Sequence, residues 1–341
     1  MTRPGVALAA AVLALAAATT PARAQPPPAA STASAAPVPP AAPELFAPGV
    51  ISSEFNETSA AFTPDGKTVY FTRSDAHELD NTIMVSDRIG AQWSEPRVAP
   101  FSGEWRDSEP HVAPDGARLF FVSNRPTSPG APPVVVTAGR TPSPGANLWY
   151  VERRGTGWGP PVHVDGPVNA GAQVYNPSVT RDGTLYFSGV LAGDTANQIY
   201  RSQLVRGRYQ VPERLPFNDP RWHTMDPTVS PDDRFLVFAW NRPGTLGSAD
   251  LFLTFHRPDG TWSEPASLGA EVNTPGLENA PVLGPDGTTL YYSSTRTRTA
   301  GKFPKSREDA SQVSARLHST ENGLRNLWFV DLRPWLARAP R

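Results

Sequence analysis

FTPDGKTVYF at residues 62–71 returns as VAPDGARLFF at 112–121, VTRDGTLYF at 179–187, VSPDDRFLVF at 229–238 and VLGPDGTTLYY at 282–292. Each copy is an apolar residue, a turn and an alternating or wholly apolar run. Gly66, Gly116, Gly183, Asp233 and Gly287 fill one slot, and successive copies lie 50, 67, 50 and 54 residues apart. A period near 50 has room for four short strands, the size of one propeller blade. One such unit cannot bury both faces of its sheet, so the copies must stack.

The turn chemistry explains the first two strands. Pro64 presets the first turn position, Asp65 accepts the second, and Gly66 takes the left-handed conformation that closes a bulged hairpin. Asp233 in the fourth copy tolerates that region better than most residues. Runs such as Leu119, Phe120, Phe121 and Val122 are apolar on both strand faces, as a sheet covered on both sides requires. A third strand then reads NTIMV at 81–85, NLWYV at 147–151, NQIY at 197–200, DLFL at 250–253 and NLWFV at 326–330. A fourth opens with WSEP at 93–96, WGPP at 158–161, YQVP at 209–212 and WSEP at 262–265. The fifth unit lacks this strand. Residues 44–52 align instead with 266–273, so an N-terminal strand is expected to complete the last blade and remove the open sheet edges. The expectation is an all-β chain, one propeller of five four-stranded blades; the alternative is six blades, with 297–325, which lacks β alternation, the foremost place for the sixth.

Pro-Asp-Gly, an aromatic run, Ser-Asn-Arg-Pro (123–126), Asp-Leu-Phe (250–252) and Trp-Ser-Glu-Pro, in that order, resemble the WD40-like (PD40) repeats of TolB-type β-propellers. The likeness spans residues 44–336. It implies a periplasmic or secreted propeller acting as a recognition module, and it carries no shared catalytic set. The chain departs from TolB, for which six blades and an extra domain are expected.

Residues 1–24 read as a secretory signal, with Arg3, an Ala/Leu/Val core and a small-residue cleavage site ending at Ala24. Its apolar run is too short for a membrane span. Residues 25–43 are almost wholly Pro, Ala and Ser, which reads as an extended tether, and 337–341 as a tail. The absence of Cys excludes disulfides and thiol lipidation. With 31 basic and 32 acidic residues the chain has no charge excess that recommends nucleic acid. A monomer is expected.

With the Pro-Asp-Gly turns on one rim, the connections from second to third strands and the entries to the first strands share the other. That rim carries two long insertions, 126–146 and 297–325. Irregular loops on a rigid scaffold are where binding usually resides. A proline slot (Pro110, Pro177, Pro227, Pro281, with Ala60 in the first copy) aligns the entries. Three residues earlier stand Glu57, Asp107, Val174, Thr224 and Glu278; one residue earlier stand Ser59, Glu109, Asn176, Asp226 and Ala280. Glu57, Asp107, Glu109, Asp226 and Glu278 are expected to ring the channel mouth, with Asn176 a further binding candidate, and carboxylates there could bind a cation, a basic peptide or a sugar, or act as acid and base. The stronger reading is that they serve the blades, capping backbone amides or pairing with Arg73, Arg125, Arg242 and Arg296. His223 stands near Asp226, and Trp240 replaces the Ser or Thr of other copies, which makes it a stacking candidate.

No zinc-type His spacing, Gly-x-Ser-x-Gly elbow or phosphate loop is present, so neither a metal nor a cofactor is expected. The reading is a non-enzymatic propeller that binds an envelope or extracellular protein or glycan on that rim. Its rival is a glycosidase using carboxylates at the mouth.

Overall fold

The computed structural model describes residues 42–137, 143–171, 173–191, 193–297, 307–320 and 322–338. The expected signal and nearly all of the tether lie outside them. Five antiparallel sheets follow one another along the chain, each with the strand order first, second, third, fourth from the axis outward. The inner strands are Asn56–Phe62, Asp107–Val112, Val174–Val179, Thr224–Val229 and Glu278–Leu283. Each pairs with its second strand through the Pro-Asp-Gly turn, and Gly66, Gly116, Gly183 and Gly287 all have positive φ there, between 66° and 87°. Asp233 adopts φ 58° in the same slot. Its carboxylate is used as well, accepting from Tyr186 Oη at 2.7 Å.

The ring is a five-bladed β-propeller. Its last blade is completed from the N-terminus, where Glu44 pairs with Phe329 and Leu45 with Trp328. Residues that follow this strand enter the seam between the last and first blades: Phe46 and Ile51 are buried with Phe62, Phe71 and Leu327. Five buried clusters fill the five seams, one between each pair of neighbouring blades. The repeated tryptophans serve them. Trp158 Nε1 donates to Tyr70 Oη across a seam at 2.8 Å, Trp93 meets Phe46 edge-on, and Trp262 meets Tyr186.

Neither insertion adds a blade. The described part of 126–146 holds a two-residue strand pair, Val135–Val136 with Ser143–Pro144. That of 297–325 holds the helix Ala310–Leu317, started by a capping box in which Asp309 and Gln312 satisfy each other's backbone amides.

Candidate functional site

Every inner strand breaks its register at the same place, between Thr58 and Ala61, Ser108 and His111, Tyr175 and Ser178, Met225 and Thr228, and Asn279 and Val282. In the four blades with proline at 110, 177, 227 and 281 the cause is legible in the repeat, and the first blade bulges alike with Ala60 in the slot. Proline in this slot cannot donate to the ladder, and a β-bulge is where a strand tolerates it. The residue before the slot then takes a left-handed conformation in all five blades: Ser59, Glu109, Asn176, Asp226 and Ala280 have φ between 47° and 56°. Their side chains converge on the axis and line one small space of about 20 Å³, room for about one water molecule.

Three of the expected site residues meet there. The backbone N–H of Asn176 donates to Glu109 Oε2 at 2.7 Å, and that of Ala280 to Asp226 Oδ2 at 2.9 Å. Each carboxylate thus caps the bulge of the next blade, and Glu109 N in turn donates to Thr72 Oγ1 at 2.8 Å. With its amide nitrogen turned inward, the Asn176 side chain bridges the two acids, at 2.8 Å from Asp226 Oδ1 and 3.2 Å from Glu109 Oε2. Burial, then the neighbouring Asp226 charge, pushes the Glu109 carboxyl up to about 8. Burial pushes Asp226 up to about 6 against the pull of the Ala280 amide and Arg325. Above the pair, Arg325 is ion-paired with Glu78, whose carbonyl accepts from Arg106 Nε at 2.9 Å.

A raised carboxyl has a definite linkage sign. Between its ordinary value of 4.5 and about 8 the folded chain keeps a proton on Glu109 that the unfolded chain has released, so stability falls as pH rises through that window. In buffer free of divalent cations, Glu109→Gln should flatten this slope and be the more stable protein at pH 9, by about 2 kcal/mol after allowing for partial exposure and sharing of the proton. The shallower dependence of Asp226, from 3.8 to about 6, should remain. Denaturant midpoints at pH 5, 7 and 9 measure it, and parallel curves for the two proteins would refute it.

The other expected site residues lie elsewhere. Glu57, Asp107 and Glu278 are fully buried inside their blades instead of ringing the mouth. Glu57 pairs with Arg73 at 3.0 Å and accepts from Ser53, and Asp107 pairs with Arg125 at 2.7 Å. Glu278 accepts from Thr274 and Ser294. Burial raises all three carboxyls, Glu57 to about 7, against these donors. The bulge is the reason: residues two apart share a face of a regular strand, and an inserted residue sends the later one to the axis and leaves the earlier one in the sheet.

Trp240 is buried against Phe238 and Phe252, with Arg242 over its ring at 4.6 Å, so it fills its blade. His223 is exposed, and its Nδ1 accepts from Asn197 N at 3.1 Å. His111 lines the axial space, but burial lowers it to about 4, and its Nε2 accepts from Val179 N at 3.0 Å, so it is a neutral bridge between blades.

Sequence reasoning missed what surrounds the mouth. Phe55, Leu79 and Leu317 are exposed, at 47, 66 and 51 %. The segments that carry them are tied together: His318 Nδ1 contacts Glu54 Oε2 at 2.6 Å, Asn322 Nδ2 donates to the Glu54 carbonyl at 2.7 Å, and Arg325 holds Glu78. Their only sequence signal was position within entries and insertions.

No protein-family model matches the sequence, and no curated protein matches it. Solved structures do match in shape. TolB from Acinetobacter baumannii is 15% identical over 81% of this chain and 54% of its own, at a TM-score of 0.44. An alpha-L-arabinofuranosidase from Lactobacillus brevis is 11% identical over 83% of this chain and 92% of its own, at 0.49. A thermostable family-43 glycoside hydrolase is 11% identical over 73% and 86%, at 0.46. This chain therefore spans about half the length of that TolB. These likenesses concern the propeller fold alone. Among the described residues no helix is long and apolar enough to cross a membrane, and no three His, Asp or Glu cluster as metal ligands.

Proposed function

We propose that this propeller is a non-enzymatic binding module whose partner is a protein, docked on the rim opposite the Pro-Asp-Gly turns. The observation that carries this reading is the exposure of Phe55, Leu79 and Leu317 on segments that are tied to one another through the charged Glu54 and Glu78, their chain neighbours. An apolar centre with a polar border is the anatomy of a protein interface. A glycan is the weaker partner, because stacking on a sugar needs an open aromatic face. Of the rim aromatics, Phe55 is exposed but already carries the Arg73 guanidinium over its ring at 5.3 Å, Trp105 and Trp222 are half-buried and Trp240 is buried. The glycosidase reading also weakens, since the space between Glu109 and Asp226 is about 20 Å³, too small for a sugar ring. The reading includes export to the periplasm or beyond by residues 1–24, with 25–43 as a tether to a propeller over 44–336.

The test is capture from envelope extract with purified protein. Phe55→Asp with Leu79→Asp should abolish retention of any specific partner, and Ile89→Asp, in the first blade's outer hairpin, should leave it intact. Retention unchanged by the rim pair would refute the placement, and specific binding on a glycan array that the rim pair leaves intact would favour the rival ligand.

A further inference from the structure

We infer that the propeller axis is a binding site for a divalent hard cation of the Ca²⁺ type, held by Glu109, Asp226, Asn176 and Ser59. Three independent features lead there. First, the space they line accepts one water-sized body, and Glu109 and Asp226 bring two carboxylates to it. Among the described residues neither is in an ion pair: Arg325 and Arg106 act on Asp226 and Glu109 only through space, while Arg325 is paired with Glu78 and bonds Asn56, and Arg106 Nε donates to the Glu78 carbonyl. A divalent ion would balance the pair, and buried charges persist when paired or metal-bound.

Second, Ser59 is 3 % exposed, and its Oγ, facing this space, has no hydrogen-bond partner. An orphaned buried hydroxyl calls for an explanation, and an ion is one. Third, the axis is poor in donors. Pro110, Pro177, Pro227 and Pro281 line it with residues that have no N–H, so it suits a cation and repels an anion.

The geometry of Asn176 fits both states. Its inward amide atom lies 2.8 Å from Asp226 Oδ1 and 3.2 Å from Glu109 Oε2. As nitrogen it donates to both; turned about its amide, it presents Oδ1 to the same point, and oxygens at such separations share the coordination shell of one ion. Ca²⁺ accepts irregular sets of six to eight oxygens at about 2.3–2.6 Å, and Mg²⁺ demands a near-ideal octahedron at about 2.0–2.1 Å. A ring of five slots, of which Ala280 offers no oxygen and water completes the set, favours the larger ion. The left-handed backbone at all five positions holds these side chains on the axis, which is the strained, over-determined arrangement found at ligand clamps.

Chelator-treated full-length protein is titrated with CaCl₂ and, separately, with MgCl₂ by calorimetry, and its Tm is followed in parallel. The expected result is one Ca²⁺ per chain with a saturable rise in Tm, and Mg²⁺ at least tenfold weaker. Asp226→Asn and Glu109→Gln should each weaken Ca²⁺ binding at least a hundredfold. Ser59→Ala, a milder change that keeps both bulge caps, should weaken it about tenfold, and Asp219→Asn on the exposed rim should not alter it. Absence of saturable binding to folded, chelated protein would overturn the inference, as would Ca²⁺ binding unchanged in Ser59→Ala and Asp226→Asn. Mg²⁺ binding as tight as Ca²⁺ would overturn the assignment of the ion.

Discussion

Phe46→Ala should lower the unfolding free energy by about 3–5 kcal/mol, the range for emptying a well-packed aromatic site. Phe46 stands just after the short closing strand and is 7 % exposed. Its ring meets Phe62, Trp93, Tyr291 and Phe329 at centroid distances between 5.0 and 5.9 Å, all edge-on. Two of these partners belong to the first blade and two to the last, so this ring sits where the circle closes. The closing strand itself is short, pairing Glu44 with Phe329 and Leu45 with Trp328, and Phe46 N and the Ser52 hydroxyl bond the Leu327 backbone just beyond it. Side-chain burial around Phe46 joins these bonds in holding the closure, and its loss should loosen the N-terminal segment before the other blades. Denaturant titration should show a lower midpoint, and hydrogen exchange should show lost protection first in Asn326–Asp331, the strand that would become an edge. A loss below about 1 kcal/mol, or uniform loss of protection, would mean that the other four seams hold the ring without it.

Arg125→Met should cost about as much, roughly 3–5 kcal/mol, by leaving a buried carboxylate without its partner. The Arg125 guanidinium donates to Asp107 Oδ1 at 2.7 Å, to the Phe101 carbonyl at 3.1 Å and to Ser123 Oγ at 2.9 Å, and it stacks over Phe121 and Trp149. Asp107 is fully buried, and burial already raises its carboxyl against this pull. Without the guanidinium it should rise further. A raised acid costs more stability as pH rises, so the penalty should be smallest near pH 4 and largest above neutrality. Pairing the change with Asp107→Leu should recover a good part of the loss, since an apolar pair of similar volume is often tolerated where a half-pair is not. A double variant as unstable as the sum of the singles would show that Arg125 acts through packing on Trp149 instead.

The fate of these two slots explains what could be read in advance. Arg73 with Glu57 and Arg125 with Asp107 were visible as recurring residue types, and the structure makes them pairs. The fourth blade has Thr224 in the acid slot, and its Arg242 turns to Trp240 and the Asp219 charge instead. The third has Val174 and no arginine at the end of its second strand. Acid and arginine thus come and go largely together, a correlation present in one sequence. What could not be read was which acid faces the axis. A strand pattern counts in twos, and the bulge at the proline slot adds one, so Glu57 and Ser59, two apart, end on different sides.

Repetition of a turn motif at a near-constant period, with a missing outer strand at one end and its match at the other, is local and additive information. From the sequence alone it determined an all-β ring of five blades, its closure by the N-terminal segment, and the rim that carries the insertions. Long-range convergence is neither local nor additive. Only the tertiary structure decided that Glu109, Asn176 and Asp226, separated successively by 67 and 50 residues in the chain, share one small space with Ser59, whereas Glu57, Asp107, Glu278 and Trp240 belong to the blades. Closing five bulged strands around one axis sets the distance between those side chains, and no residue in a single blade encodes it.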